Sequence, residues 1–394
     1  MEVSVVLPCL NEEKTIGPCI RSVRAALDQA GVRGEIIVAD NDSTDGSAEI
    51  AREEDARVVD VRYRGYGNAL RAGLEAARGR YLVFLDADMS YDGADIPRFV
   101  EKLRDGADLV IGSRFRGGID PGAMPRLHRI VGTPALTALA NLLFGCAISD
   151  VNCGMRALTK EAFERLELHS EGMEFASEMM IKAAQAGLRI HEIPITLHTD
   201  QRGRDPHLRS FRDGWRHLQI MMHFCSLWLF LAPGAGLALG GLALVWWTIG
   251  GPFELLAQLA GLCAVFVGVQ VLLLGVTAQG RVRGSKYRES DSPVYRLIRR
   301  WVRVDTGLVL GLVAALAGMG LLAWALSRGL RSAGGGGLVP TTPGPQVVRL
   351  ALLGAVSFIC GLQVFFTSVF IGLFGLRVAD DEPPRREKPA SRDE

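Results

Sequence analysis

Tyr81-Leu82-Val83-Phe84-Leu85-Asp86-Ala87-Asp88 is a hydrophobic run that ends on two carboxylates one residue apart. Read as a strand, it delivers both acids to its C-terminal end, where open α/β sheets bind ligands. Two hard oxygen donors in such a crevice suit Mg2+ or Mn2+, and a divalent cation there would neutralise a diphosphate leaving group. Upstream, Val5-Val6-Leu7-Pro8-Cys9-Leu10-Asn11-Glu12 and Ile37-Val38-Ala39-Asp40-Asn41-Asp42-Ser43-Thr44-Asp45-Gly46-Ser47 are each a strand followed by a polar turn. Both turns open on the same sheet edge. Glu12 and Asp40 are suited to accept hydrogen bonds from a nucleobase and ribose, and Asp45 to cap the helix that follows.

Around these stretches, strand and helix signals alternate through residue 115, the pattern of an α/β sandwich on a mostly parallel sheet. Strands are expected at 3–7, 36–39, 58–61, 81–85 and 109–111. Ile16, Ile20, Val23 and Leu27 recur at helical spacing before Gly31, and helices are expected around 69–77 and 97–103. Residues 115–200 read as a less regular continuation that ends in a strand at 193–197.

The 394 residues carry 44 Lys+Arg against 43 Asp+Glu, a formal charge of +1, which excludes the basic excess of a general nucleic-acid binder. Charge is uneven, however, and most of it precedes residue 217. Residues 226–253, 255–280, 306–327 and 350–376 contain almost no charged side chains, and each reaches the ~20 residues that cross a bilayer as a helix. Before them, Phe211, Trp215, Leu218 and Met222 share one helical face and Arg209, Arg212 and Arg216 another, the make-up of a helix lying in the headgroup layer. Eight Lys/Arg residues between 281 and 305, with none at 250–254, set the basic loop, the N-terminal domain and the tail on the cytoplasmic side. Seven scattered cysteines without a C-x-x-C pair read as reduced thiols. The N-terminal residues 1–8 read as a strand and not as a signal peptide.

Together these blocks resemble the family 2 inverting glycosyltransferases of the GT-A fold, over residues 1–200 or so. Gly65-Tyr66-Gly67-Asn68-Ala69-Leu70, Ile111-Gly112-Ser113-Arg114 and Asp150-Val151-Asn152-Cys153-Gly154-Met155-Arg156 sharpen the resemblance toward the polyprenyl-phosphate sugar synthases. It implies a nucleotide-sugar domain at 1–208, an interfacial helix at 209–225, four transmembrane helices at 226–376 and a disordered cytoplasmic tail at 377–394. It implies one sugar moved from a nucleotide diphosphate to a polyprenyl phosphate at the inner face of the cell membrane. Pro8, Leu10, Asn11, Glu12, Asp40, Asp42, Asn68, Asp86, Ala87, Asp88, Arg202 and Arg204 are then the nucleotide-sugar set. Asp86 and Asp88 hold the metal, and Asp88, Arg114 and Arg129 carry the transfer, the arginines as the grip on the acceptor phosphate.

Arg126 is interchangeable with Arg129 in that role, and Asp150 and Glu178 match acidic positions near sugar and acceptor. Departures from the family pattern are Ser90 where Gln is frequent, Asn68 where Lys is frequent, and Arg202-Gly203-Arg204-Asp205-Pro206-His207-Leu208-Arg209-Ser210 in place of R-x-x-G-x-S-K. Two other readings compete. A processive polysaccharide synthase would carry Q-x-x-R-W, but Leu297 stands where that motif needs Gln before Arg300-Trp301. A membrane carrier would need charged groups inside its spans, and only Glu254 in the first hairpin qualifies. Self-association is left open.

Overall fold

The computed structural model describes residues 1–203, 210–248, 254–282, 304–334 and 344–377. Arg204, most of the basic 281–305 segment, the Gly251-Pro252 turn and the 378–394 tail lie outside the described residues. The chain forms two compact units, Met1–Phe224 and Cys225–Glu394.

The first unit is built on a seven-stranded sheet: β1 (Val3–Cys9), β2 (Gly34–Asp40), β3 (Arg57–Asp60), β4 (Tyr81–Phe84), β5 (Leu109–Ile119), β6 (Arg156–Thr159) and β7 (Ile190–Leu197). Their order across the sheet is β3-β2-β1-β4-β6-β5-β7. Only β6 runs against the others, antiparallel to both β4 and β5. The eight helices of this unit are α1 (Ile16–Gln29), α2 (Ser47–Glu53), α3 (Tyr66–Ala76), α4 (Ile96–Arg104), α5 (Thr133–Phe144), α6 (Lys160–Leu166), α7 (Phe175–Gln185) and α8 (Ser210–Phe224).

Helices cover both sheet faces, so β1 and β4 are buried almost throughout, which is why they read as apolar runs broken only by Ser4. The α1 stripe Ile16, Ile20, Val23 and Leu27 is fully inside, packed with Val3, Val5 and Leu7 and with Phe99 and Val100 of α4. On the opposite face, α3 approaches β1 so closely that a Cβ at Gly73 would lie 2.4 Å from Val6 Cγ1. Glycine is the residue that permits that contact.

The second unit has four helices: α9 (Ser226–Trp247), α10 (Glu254–Val282), α11 (Val304–Gly334) and α12 (Pro345–Arg377). Each contains a stretch long and apolar enough to cross a membrane: Leu229–Trp247, Leu255–Thr277, Asp305–Arg331 and Gln346–Ile371. Extensive packing runs α9 to α10, α10 to α12 and α12 to α11, so the helices stand in a single file. Glycines face each other within each hairpin. A Cβ at Gly241 would lie 2.4 Å from the Gly261 carbonyl oxygen, and one at Gly361 2.7 Å from that of Gly311. Small residues let helix backbones meet where lipid gives no hydrophobic drive for packing. Between the hairpins, Gln363 of α12 donates its amide to Gln270 of α10.

Candidate active site

Strand order reverses at β1 and β4, and the chain leaves both at the same edge. Beside β1 the turns after β1 and β2 are stitched together. Ser43 Oγ accepts the Asn11 N–H at 2.9 Å, and Asn11 Oδ1 accepts the Thr44 N–H at 2.7 Å. Asn11 holds this position in the left-handed region, φ 56°. Ser47 Oγ accepts the Glu12 N–H at 2.7 Å, and Asp45 accepts the Ser47 N–H at 3.0 Å where α2 begins. Asp40 is buried at the end of β2; its Oδ2 accepts from the Ser43 N–H at 3.3 Å, while Oδ1 is buried without a hydrogen-bond partner.

Beyond β4 the two acids differ. The Tyr66 hydroxyl donates to Asp86 Oδ1 at 2.9 Å, and a Cβ at Gly154 would lie 2.4 Å from Asp86 Oδ2. Burial, and then the neighbouring Asp88 charge, raise the Asp86 carboxyl to about 6. Asp88 accepts the Ser90 N–H on Oδ1 at 2.9 Å and the Arg202 guanidinium on Oδ2. Arg202 is 14% exposed and also pairs with Glu12 at 3.6 Å and Asp200 at 3.8 Å, so one guanidinium sits among three carboxylates. The 198–202 segment is fixed there by backbone bonds, His198 N–H to the Ser90 carbonyl and Gln201 N–H to that of Asp88.

Two nucleotide-set residues and the start of α3 have local partners. Asp42 pairs with Arg64 at the surface, Asn68 Oδ1 accepts from Arg71 at 2.8 Å, and the first N–H groups of α3 donate to the Glu171 carbonyl. Asn68 therefore holds α3 in place, and that helix start is already capped by protein.

Of the arginines expected at the acceptor, Arg114 is buried with its fork closed on Asp150, at 2.6 and 2.7 Å. Its planar fork is thereby committed to a fully buried carboxylate. Arg126 and Arg129 are exposed and line no part of the central cavity. The loop that carries Asp150 is held by Arg156, which is fully buried and donates to the carbonyls of Val151, Cys153 and Ala176 at 2.7–3.0 Å. Glu178 is equally buried, paired with Lys182 at 2.8 Å and accepting the His169 and Ser170 N–H groups. It is a brace for the 169–172 loop.

A cavity of about 690 Å³ links these groups. It is lined by Pro8, Leu10, Glu12, Asp86, Asp88 and Arg202, and also by Met124, His128, Leu136, Arg212, Arg216 and His217. Part of its wall is thus the helical segment 126–144 and α8. Residues 126–144 are continuous helix with a π turn at His128–Gly132. They expose Leu127 (64%), Ile130 (70%), Val131 (54%) and Leu142 (81%), with Pro134, Ala135 and Ala138 between them on the same face. Sequence reading missed this stripe, although its i, i+3, i+4, i+7 spacing was available as a signal. Arg212 and Arg216 were read only as the polar face of α8.

Among the described residues no group of three or more His, Cys, Asp or Glu side chains forms a ready metal cage. Two carboxylates in a crevice do fit the Mg2+ mode, in which one or two protein carboxylates are completed by substrate phosphates and water.

Fold and site define an α/β enzyme that carries its own membrane helices. Residues 4–167 match the family described as "Glycosyl transferase family 2", and residues 281–375 match its C-terminal transmembrane region. The low-salt glycan biosynthesis hexosyltransferase Agl6 of Haloferax volcanii is 37% identical over 386 residues, covering 95% of this chain and 89% of that protein. A dolichyl-phosphate hexose transferase of the same organism is 34% identical over 194 residues, 49% of this chain and 82% of that one. A solved glucosyl-3-phosphoglycerate synthase from Mycobacterium tuberculosis, with Mn2+, uridine diphosphate and glucosyl-3-phosphoglycerate, aligns at 28% identity over 57% of this chain and 80% of that chain, TM-score 0.46. The chain belongs to glycosyltransferase family 2. It is a membrane enzyme with a GT-A-like, mostly parallel core.

Proposed function

We propose that this enzyme transfers one hexose from a nucleotide-diphosphate sugar to a polyprenyl phosphate, inverting the anomeric carbon, at the cytoplasmic face of the cell membrane. The observation that carries the reading is the single cavity that runs from Asp86, Asp88 and Glu12 to the two helices with exposed apolar or amphipathic faces. The names of the two Haloferax volcanii relatives, a hexosyltransferase and a dolichyl-phosphate hexose transferase, support the same chemistry.

In this reading Asp40 and Glu12 receive the nucleoside, and the unpartnered Asp40 Oδ1 accepts from a donor group on base or ribose. Asp86 and Asp88 would hold Mg2+ or Mn2+, which would screen the charge that develops on the diphosphate leaving group. Tyr66 orients Asp86, and the Ser90 N–H orients Asp88. Arg202, seated among Asp88, Glu12 and Asp200, would lie beside the diphosphate. A phosphomonoester has its second pKa near ~6 and needs no strong base at neutral pH. Positioning replaces deprotonation. The Arg114–Asp150 pair and Arg156 keep the 150–156 loop rigid beside the reacting centre, as in-line attack requires.

The test is a donor screen with purified full-length protein, undecaprenyl phosphate in vesicles and a panel of nucleotide sugars. A product with one sugar per lipid phosphate, of opposite anomeric configuration to the donor, is expected. Polymer would favour a processive synthase, and donor binding without any glycolipid would favour a carrier.

A further inference from the structure

We infer that the acceptor phosphate enters between α5 and α8 and is held there by Arg212 and Arg216, its alkyl chain leaving along the exposed apolar face of residues 126–144. The inference rests on the lipid-phosphate acceptor proposed above and identifies the side chains of this chain that grip it.

Four observations carry it. Arg212 and Arg216 stand one helical turn apart on α8, and both line the cavity that contains Asp86 and Asp88. Of the arginines first expected to do this work, Arg114 also lines the cavity but has its fork closed on Asp150, and Arg129 is not among the lining residues. The carboxylates that line the cavity are Glu12, Asp86, Asp88 and Asp200, and three of them gather round Arg202. Glu174 is the acid beside Arg216. It accepts the Gly172 N–H at 3.2 Å, and the position of a Gly172 Cβ would lie 2.6 Å from its Oε2 and 3.0 Å from Arg216 Nη1.

Second, α8 is held where its arginines are useful. His217 Nδ1 and Ser177 Oγ of α7 share a hydrogen bond of 2.7 Å, and Ile220, Met221 and Phe224 are buried one and two turns further on. Third, the opposite wall at Met124, Thr133 and Leu136 is largely apolar, and it continues into the exposed Leu127, Ile130, Val131 and Leu142 stripe. An anionic head against two guanidinium forks and a hydrocarbon tail against an apolar helix face describe a lipid phosphomonoester. Fourth, only Cys225 separates α8 from the first membrane helix, so the grip is tied by chain continuity to the bilayer that supplies the lipid.

The decisive experiment measures equilibrium binding of radiolabelled farnesyl phosphate to the full chain in phosphatidylcholine nanodiscs. Wild type is expected to bind, and Arg212→Ala or Arg216→Ala to weaken binding about 10- to 100-fold, the loss of one charged hydrogen-bonding group. Arg→Lys at either position should restore only part of it, because the charge remains and the planar fork does not. Both side chains are exposed, and unchanged thermal unfolding verifies that the variants fold. Farnesyl phosphate bound equally by wild type and both Ala variants would overturn the arginine assignment while leaving the acceptor class intact. Failure of wild type to bind it would remove the acceptor class itself. Displacement by inorganic phosphate at equal concentration would identify a free-phosphate site and overturn the lipid exit.

Discussion

Asp88 stands where three interests meet: it faces Asp86, it is capped by the Ser90 N–H, and it is held by Arg202. Asp88→Asn preserves shape and the Ser90 contact but removes one anionic oxygen. Transfer should fall at least 100-fold with the melting temperature changed by no more than a few degrees, and Mn2+ binding followed by electron paramagnetic resonance should weaken in parallel. Full activity in excess chelator would remove the metal from the mechanism. A second residue-scale prediction concerns Glu35. Although burial works against its charge, hydrogen bonds from Ser4, the Arg78 N–H and Arg57 outweigh it and hold the carboxyl below the usual carboxylate range. A depressed pKa stabilises the fold above the unfolded value, and that contribution disappears as pH falls through the folded value. Glu35→Gln should therefore destabilise the first unit by about 1–2 kcal/mol at neutral pH and by progressively less below pH 4, read from urea unfolding of the full chain.

At the scale of elements, the carboxylate pair and the turns after β1 and β2 were legible because each is local: a strand followed at once by its polar end. The α1 stripe and the four apolar helices were legible for the same reason, since periodicity and length are read within one window. Strand β6 was not. Arg156-Ala157-Leu158-Thr159 is four residues long and opens on an arginine, and only its three backbone carbonyl partners make that charge tolerable inside a sheet. Strand β5 runs on to Ile119 past an irregularity between Ser113 and Gly118, well beyond the apolar Leu109–Ile111 core that marks it. The partnership of Arg114 with Asp150 spans 36 residues, and which arginines face the cavity depends on how α5 and α8 pack. No spacing encodes that. The exposed stripe yields its own prediction. Leu142→Asp should leave thermal stability unchanged, because the side chain is already in solvent, yet reduce turnover on vesicle-borne acceptor by about an order of magnitude. Turnover on a short, water-soluble prenyl phosphate should be nearly unaffected; equal loss on both would detach the stripe from the membrane.

For the whole molecule, the distribution of Lys and Arg predicts that Met1, residue 290 and Glu394 face one compartment and residue 340 the other. Reporter fusions at those points decide it, and residue 290 on the opposite side from Met1 would end the four-span arrangement. Hairpin packing is equally exposed to test. Gly361→Leu would drive a side chain into Ala315 N, 2.3 Å from a Cβ, and should lower expression and detergent stability without altering the first unit. The single-file arrangement of α9, α10, α12 and α11 has a further consequence. Among the described residues, such a file leaves both flanks of every helix open and surrounds no channel. Under the function proposed above, the lipid-linked sugar would stay in the leaflet where it forms, and its use across the membrane would call for a separate translocating machine.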